Sequence, residues 1–128
     1  MQASFKLKKV LGGLLHYGEV IVDATPAPVS EIVIAPDAFA WLKEHYGPHA
    51  WEWAICDDYR AEAIAGCRFA LEREPTGHPM RVEVKQIRAH PALTVPGDLV
   101  YAACAALREA IGSGVDVWPE LRSPRAGG

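Results

Sequence analysis

His45 and His49 are four residues apart, a spacing that can place two metal ligands on one helix. The glycine and the proline between them disfavour a regular helix, which weakens this interpretation. Cys56, Asp57 and Asp58 would add ligands only if the fold brought them close to the histidines. Histidines in such a segment are more often solvated, and the two aspartates suit a helix cap, so we assign no metal site and no cofactor.

Cys56 is also a candidate nucleophile, because it precedes a predicted helix and a helix N-terminus stabilises a thiolate. A small apolar residue at the end of a strand is the more common role for such a cysteine. Cys67 and Cys104 lie among alanines and are expected to fill core space. The three cysteines form no Cys-x-x-Cys pair, which favours reduced thiols and a cytoplasmic protein. We assign no catalytic residue.

A basic group, Arg81, Lys85 and Arg88, lies on a predicted strand over residues 80–87 and just after it. Basic side chains at one end of a sheet can bind phosphate, but Glu83 lies among them, which favours a solvated face of mixed charge. The formal net charge of −3 argues against a general electrostatic nucleic-acid binder. A local basic patch remains compatible with that charge.

Trp51 and Trp53 are predicted to lie on one face of a strand, because they alternate with Glu52 and Ala54. Aromatic side chains on an exposed sheet can stack on nucleic-acid bases. The alternating residues look more like the outer side of the strand. We therefore expect both tryptophans to be buried in the core.

The elements that must position these residues belong to one domain of 128 residues, half of them hydrophobic. Strands are predicted over residues 16–24, 31–35, 51–56 and 80–87. A short helix after Pro36 is predicted to end at Gly47, and a long helix is expected to be capped by one of the aspartates at 57 and 58. A final helix is predicted between an N-cap at Thr94 and Gly112. This order favours an α+β two-layer sandwich with two long helices against one sheet.

The ends of the chain are expected to be less ordered than the domain itself. Residues 1–13 are predicted to form a flexible lead-in or an edge strand, and residues 113–128 a flexible tail. The apolar run at residues 10–15 is short and interrupted by glycines, so it is a weak match to a signal peptide. No segment approaches the ~20 apolar residues that span a membrane, and we expect no membrane partner.

Gly66 lies in the middle of the helix predicted from "DYRAEAIAGCRFALE", where glycine costs about 1 kcal/mol relative to alanine. Small residues surround it on one side of the helix, and alanines form a similar strip on the final helix. We interpret Gly66 as a position of close packing. On this interpretation Gly66→Leu destabilises the fold, whereas Gly66→Ala has a mild effect.

Four segments together resemble the fourth domain of elongation factor G and of related ribosomal-protection proteins. They are "HYGEVIVDATPAP", "DYRAEAIAGCRFALE", "GHPMRVEVKQIRAH" and "DLVYAACAALREAI", in that order and at similar spacing. The resemblance covers residues 14–112. It implies a four-stranded sheet backed by two helices, with a left-handed βαβ crossover, and it implies the ribosome or RNA as a partner.

The chain also departs from this family. It lacks the GxxxxGK[ST] motif of a phosphate-binding loop, so we expect no GTP binding. The segment "APDAFAWLKEHYGPH" is an apparent insertion that contains the short helix. In the family, a tip loop ending in Gly-Ser-Tyr-His reaches toward the decoding region of the ribosome. Here the loop is "QIRAHPAL", and the resemblance implies that His90, with Lys85 and Arg88 beside it, contacts RNA or the ribosome.

These observations favour a non-catalytic, translation-factor-like binding module that contacts the ribosome or RNA. One alternative is a protein-interaction module or homodimer that uses the outer face of the sheet or the inserted helix. Another is a small enzyme or metal-binding domain that uses His45, His49 and Cys56.

Overall fold

The computed structural model describes residues 1–75 and 77–122. Its strands are β1 (Gln2–Leu11), β2 (Leu14–Pro26), β3 (Glu31–Ile34) and β4 (Met80–Arg88), and its helices are α1 (Ala40–Tyr46), α2 (Ile55–Glu72) and α3 (Asp98–Ile111). The strands form one sheet in the order β1-β2-β4-β3. Helix α3 packs over β1 and β2, and α2 contacts β3 and β4. The predicted two-layer α+β sandwich is confirmed.

Strand β1 forms one edge of the sheet and pairs with β2 along its whole length, from Gln2 opposite Asp23 to Leu11 opposite Leu14. Two glycines with positive φ, Gly12 at 57° and Gly13 at 84°, form the turn between the strands. Residues 1–13 were predicted to form either a flexible lead-in or an edge strand, and the structure contains the edge strand. Apolar residues alternate with polar ones in β1, which places one apolar face against the helices.

The strand predicted over residues 51–56 is absent. Residues Ala50–Glu52 form a single 3₁₀ turn, and α2 begins at Ile55. Trp51 is 42% exposed and Trp53 is 40% exposed, so the prediction that they are core residues is wrong. The buried residues of this segment are Ala50 and Cys56, which are six residues apart and do not follow the alternation of the tryptophans. Strand β1 supplies the fourth strand instead.

The starts of the two long helices differ from the prediction. Helix α2 has Ala54 at its N-cap with no side-chain cap, and Asp57 and Asp58 lie inside its first turn, where carboxylates still complement the helix dipole. Helix α3 begins after Gly97, whose φ of 96° makes the turn into the helix. Thr94 is therefore not the cap. Its hydroxyl accepts a hydrogen bond from the backbone N–H of His90 within the preceding loop.

The inserted short helix is present as α1, which ends at Gly47 with φ 111°. Strand β3 is parallel to β4 and ends opposite Val84. The chain then continues beside β4, since Ile87 donates its N–H to the carbonyl oxygen of Ala38 at 2.8 Å. The insertion thus occupies the edge of the sheet next to the last residues of β4. The connection from β3 to β4 is a parallel βαβ unit, and its left-handed sense stays a prediction.

At Gly66, α2 and α3 approach each other closely. A Cβ atom at this position would lie 2.2 Å from the carbonyl oxygen of Val100 and 2.8 Å from the Cβ atom of Ala103. The prediction that Gly66 is a packing position is confirmed. Its cost in helix propensity is offset because small residues let the two helices approach closely.

Residues 113–122 have no regular secondary structure, but they contact the domain. The Trp118 ring stacks on Tyr101 with a centroid distance of 5.2 Å, and Leu121 packs against the core. The flexible tail proposed for residues 113–128 stays a prediction, since residues 123–128 lie outside the described part. Among the described residues, none of the helices combines the length and apolar character needed to cross a membrane.

Candidate nucleic-acid interface at the tip of the sheet

We define the tip as the end of the sheet that carries the β1–β2 turn and the loop following β4. Four aromatic side chains, here called the aromatic cluster, meet at the tip: Tyr17, Tyr46, Trp53 and His90. The ring of His90 is edge-on to Tyr46 at 5.5 Å and to Tyr17 at 6.4 Å between centroids. Trp53 lies 5.8 Å from Tyr46 and extends the cluster toward the start of α2. The cluster therefore joins β2, the insertion and the loop after β4.

His90 is half-buried within this cluster. Its Nδ1 atom is inaccessible to solvent and has no hydrogen-bond partner within residues 1–75 and 77–122. Tyr46, at the end of α1, covers one side of the ring. The insertion thus contacts the histidine that the resemblance places at the tip, and the histidine is presented as part of an aromatic surface instead of a free loop end.

Basic residues border the aromatic cluster on the outer face of the sheet. The Nζ atom of Lys6 lies 5.8 Å from the centroid of the Tyr17 ring, within range of a cation–π interaction. Lys8 is directly opposite Tyr17 in the strand register. On the other side of β2, Arg88 is opposite Glu19 and bonds to its carboxylate at 3.2 Å. The outer face near the tip therefore has three basic side chains and one acidic side chain.

The three residues predicted to contact RNA differ in their surroundings. Arg88 and His90 both lie at the tip. Lys85 lies at a β-bulge farther along β4, where its ammonium group bonds to Glu83 at 3.1 Å. That hydrogen bond and the charge of Glu83 raise the pKa of Lys85. Lys85 thus faces an acidic neighbour, and the structure does not group it with the aromatic cluster.

The sequence analysis did not identify four residues of the tip: Lys6, Lys8, Tyr17 and Tyr46. The signal for the lysines was present in their spacing of two, which places both on one face of a strand. Recognising it required residues 1–13 to be interpreted as a strand. No sequence signal linked Tyr46 to His90, because the contact depends on how the insertion packs.

A buried hydrogen bond between His16 and Asp98 supports the inner side of the tip. His16 Nδ1 lies 2.6 Å from Asp98 Oδ1, and both side chains are completely buried. The other carboxylate oxygen of Asp98 accepts the backbone N–H groups of Tyr17 and Val95, each at 2.9 Å. One carboxylate therefore ties the start of β2 to the loop before α3, which holds the backbone of Tyr17 in place.

Glu62 of α2 caps the N-terminus of α3. Its Oε1 atom accepts the N–H groups of Gly97 at 2.9 Å and of Leu99 at 3.2 Å. Burial raises the pKa of this carboxyl group, and the backbone hydrogen bonds oppose that shift. The carboxylate replaces the side-chain cap that Gly97 cannot provide.

The residues of the alternative enzyme or metal site each have a separate local partner. His45 Nδ1 lies 2.8 Å from the carbonyl oxygen of Trp41, and His49 Nδ1 lies 3.0 Å from a Glu52 carboxylate oxygen. The buried Cys56 thiol donates to a backbone carbonyl, and burial raises its pKa, which disfavours a thiolate. Within residues 1–75 and 77–122, no three His, Cys, Asp or Glu side chains are grouped so that they could hold a metal ion.

Comparison with known proteins gives a match at the level of fold only. No protein-family model matches the chain, and no curated protein matches it. Among solved structures, the crystal structure of ttk003000868 from Thermus thermophilus is similar, with a TM-score of 0.60 at 18% sequence identity. The similarity covers 84% of this chain but only 15% of the Thermus protein. The two chains therefore share a fold over one part of the larger protein.

Proposed function

We propose that this protein is a non-catalytic binding module that contacts RNA, including RNA of the ribosome, through the tip. The observation that carries the proposal is the joining of the aromatic cluster to Lys6, Lys8 and Arg88 on one end of an otherwise acidic chain. The resemblance of residues 14–112 to a translation-factor domain points to the same end of the fold.

The chemistry of the tip fits a single strand better than a duplex. Stacking of a base on an aromatic side chain contributes about 1–3 kcal/mol and requires an unpaired base. Trp53 is 40% exposed and offers ring surface directly. Tyr17 and Tyr46 are half-buried, so their rings are held in fixed orientations at low entropic cost.

The charges of the tip set the expected salt dependence. Lys6 and Lys8 are exposed on the outer face, and Arg88 must exchange part of its bond to Glu19 for a phosphate. Neutralising three phosphates of a single strand gives a slope of log K against log salt of about −2. Binding is therefore expected to be weak at physiological salt and clear at low salt.

The test is fluorescence anisotropy with a labelled single-stranded RNA at low salt, together with co-sedimentation with ribosomes. The double variant Lys6→Ala/Lys8→Ala is expected to weaken binding at least tenfold and to reduce the salt slope. The matched control is Arg68→Ala/Arg73→Ala, which removes the same charge from exposed positions of α2 and the residue after it and should bind more nearly like the parent. Absence of binding at low salt in both assays, or equal losses in the two variants, would contradict the proposal.

A further inference from the structure

A cavity lies away from the tip, between β1, the last turns of α3 and the segment that follows α3. Its volume is about 540 Å³. Its polar lining consists of Ser4, Arg108, Glu109 and Ser113, and Trp118 forms part of its wall. The size of the cavity is sufficient for a small molecule with its hydration water.

Arg108 is the unusual member of this lining. Its side chain is only 3% exposed, and its Nε, Nη1 and Nη2 atoms are inaccessible to solvent. None of these nitrogens has a hydrogen-bond partner in the part of the chain that the structure describes. A buried guanidinium with open donors is costly, and buried polar groups in proteins are nearly always paired.

Two aromatic rings lie within cation–π distance of this guanidinium, and neither supplies a hydrogen-bond acceptor. Its central carbon lies 4.7 Å from the centroid of the Trp118 ring and 5.8 Å from that of Phe69. Such cation–π contacts stabilise the charge without using the N–H groups, which lie in the guanidinium plane. In the described part of the chain, the N–H donors of Arg108 are therefore unpaired but covered, and an acceptor reaches them only when the cover moves.

We propose that this cavity binds a small oxyanion, a phosphate or a carboxylate, through the guanidinium edge of Arg108. A planar fork of N–H groups suits two oxygens of such an anion. Ser113 adds a hydroxyl donor, because its Oγ atom already accepts the N–H of Val115 and its own hydrogen is free to point into the cavity. This site is independent of the proposed RNA-binding tip.

The electrostatics of the site make Arg108 indispensable. The cavity lies at the C-terminal end of α3, where the helix dipole disfavours anions, and Glu109 adds a carboxylate to the lining. Without the guanidinium, the cavity repels an oxyanion. Anion binding should therefore depend on this one side chain and should favour ligands of low charge.

Access to the guanidinium requires movement of Trp118. Its ring covers Arg108 and stacks on Tyr101, and it belongs to a segment without regular secondary structure. An anion that bonds to the nitrogens must displace this ring, so binding is expected to change tryptophan fluorescence. The variant Trp118→Phe should keep the site and lose that fluorescence change.

The test is calorimetric titration of the full chain with sodium phosphate and, separately, with sodium acetate, at constant ionic strength set by sodium chloride. We expect saturable binding of one anion per chain. The anion that binds more tightly shows whether the site prefers a phosphate or a carboxylate group. Arg108→Met should weaken binding at least tenfold, and Arg108→Lys should also weaken it, because an ammonium lacks the fork. The control Arg68→Met, at an exposed arginine, should bind like the parent.

The proposal is overturned if neither anion gives saturable heat, or if Arg108→Met and Arg68→Met bind equally well. If Arg108→Met does not fold, the test uses Arg108→Lys and Ser113→Ala instead. Unchanged affinity for the anion in both variants overturns the proposal. RNA binding measured on the same Arg108 variants should be unchanged, which separates this site from the tip.

Discussion

Replacing Gly66 by alanine tests whether the contact between α2 and α3 is as close as the structure shows. The added Cβ atom would lie 2.2 Å from the Val100 carbonyl oxygen, whereas contacts under 3.0 Å essentially never occur for real Cβ atoms. The obstacle is backbone, so it cannot rotate away as a flexible side chain would. The helices must separate by roughly 1 Å, which forfeits a quarter to a half of the dispersion energy of each contact that opens.

Two opposing effects set the change in the free energy of unfolding that Gly66→Ala causes. Alanine improves helix propensity at a mid-helix glycine by about 1 kcal/mol. Overpacking of a close interface typically costs about 1–3 kcal/mol, and occasionally more. Because the nearest obstacle is a carbonyl of the facing helix, we expect the steric cost to prevail, with a net destabilisation of about 2 kcal/mol. The mild effect predicted from the sequence for this substitution is thereby revised.

The assay is thermal and urea unfolding followed by circular dichroism. Gly66→Ala is expected to lower the melting temperature by roughly 5–10 °C for a chain of this size. Ala65→Gly, at the exposed neighbouring position of α2, is the control and should cost only about 1 kcal/mol through propensity. A rise in the melting temperature of Gly66→Ala would refute the reasoning, because propensity alone predicts that rise.

Three further predictions concern the tip and its supports. The pKa of Glu62 is raised, so the folded protein keeps this proton to higher pH than the unfolded chain does. The free energy of unfolding, measured with urea, should therefore fall as pH rises above the ordinary glutamate range, and Glu62→Gln should reduce this pH dependence. Asp98→Asn should destabilise by about 1–3 kcal/mol in the same assay, because the amide keeps only one of the two acceptor oxygens that serve His16, Tyr17 and Val95, and a loss below about 0.5 kcal/mol would contradict this. Tyr46→Ala should uncover His90 and weaken RNA binding threefold to tenfold in the anisotropy assay, measured at a temperature where the variant is folded; unchanged affinity would remove Tyr46 from the interface.

The parts of the fold that depend on local pattern were predictable from the sequence. Strand β4 follows the alternation of Val82 and Val84, both completely buried, and α3 ends at Gly112 with the left-handed φ of 67° typical of a helix terminus. Gly66 was predictable because a glycine in mid-helix needs a packing reason. In each case the pattern and the tertiary environment favour the same structure.

The predictions that were wrong concern features that depend on tertiary packing. Trp51 and Trp53 alternate as in a strand, but Ala50 and Cys56 are the residues that the core accepts, so the chain forms a 3₁₀ turn and enters α2 early. The N-cap of α3 could not be found locally, because the capping carboxylate comes from Glu62 of another helix. Long-range partners of this kind leave no signature in a sequence window.

The buried Asp98 determines which variants can test function cleanly. Its carboxylate holds the backbone of Tyr17, so a change at Asp98 or His16 alters the tip by releasing β2 and the loop before α3. Loss of RNA binding in such a variant could result from a less rigid tip backbone as well as from the loss of a direct contact with RNA. Lys6 and Lys8 are exposed on an edge strand, and their removal leaves the buried pair intact. A loss of affinity there, with an unchanged melting temperature, is therefore the result that assigns the interface to the surface of the tip.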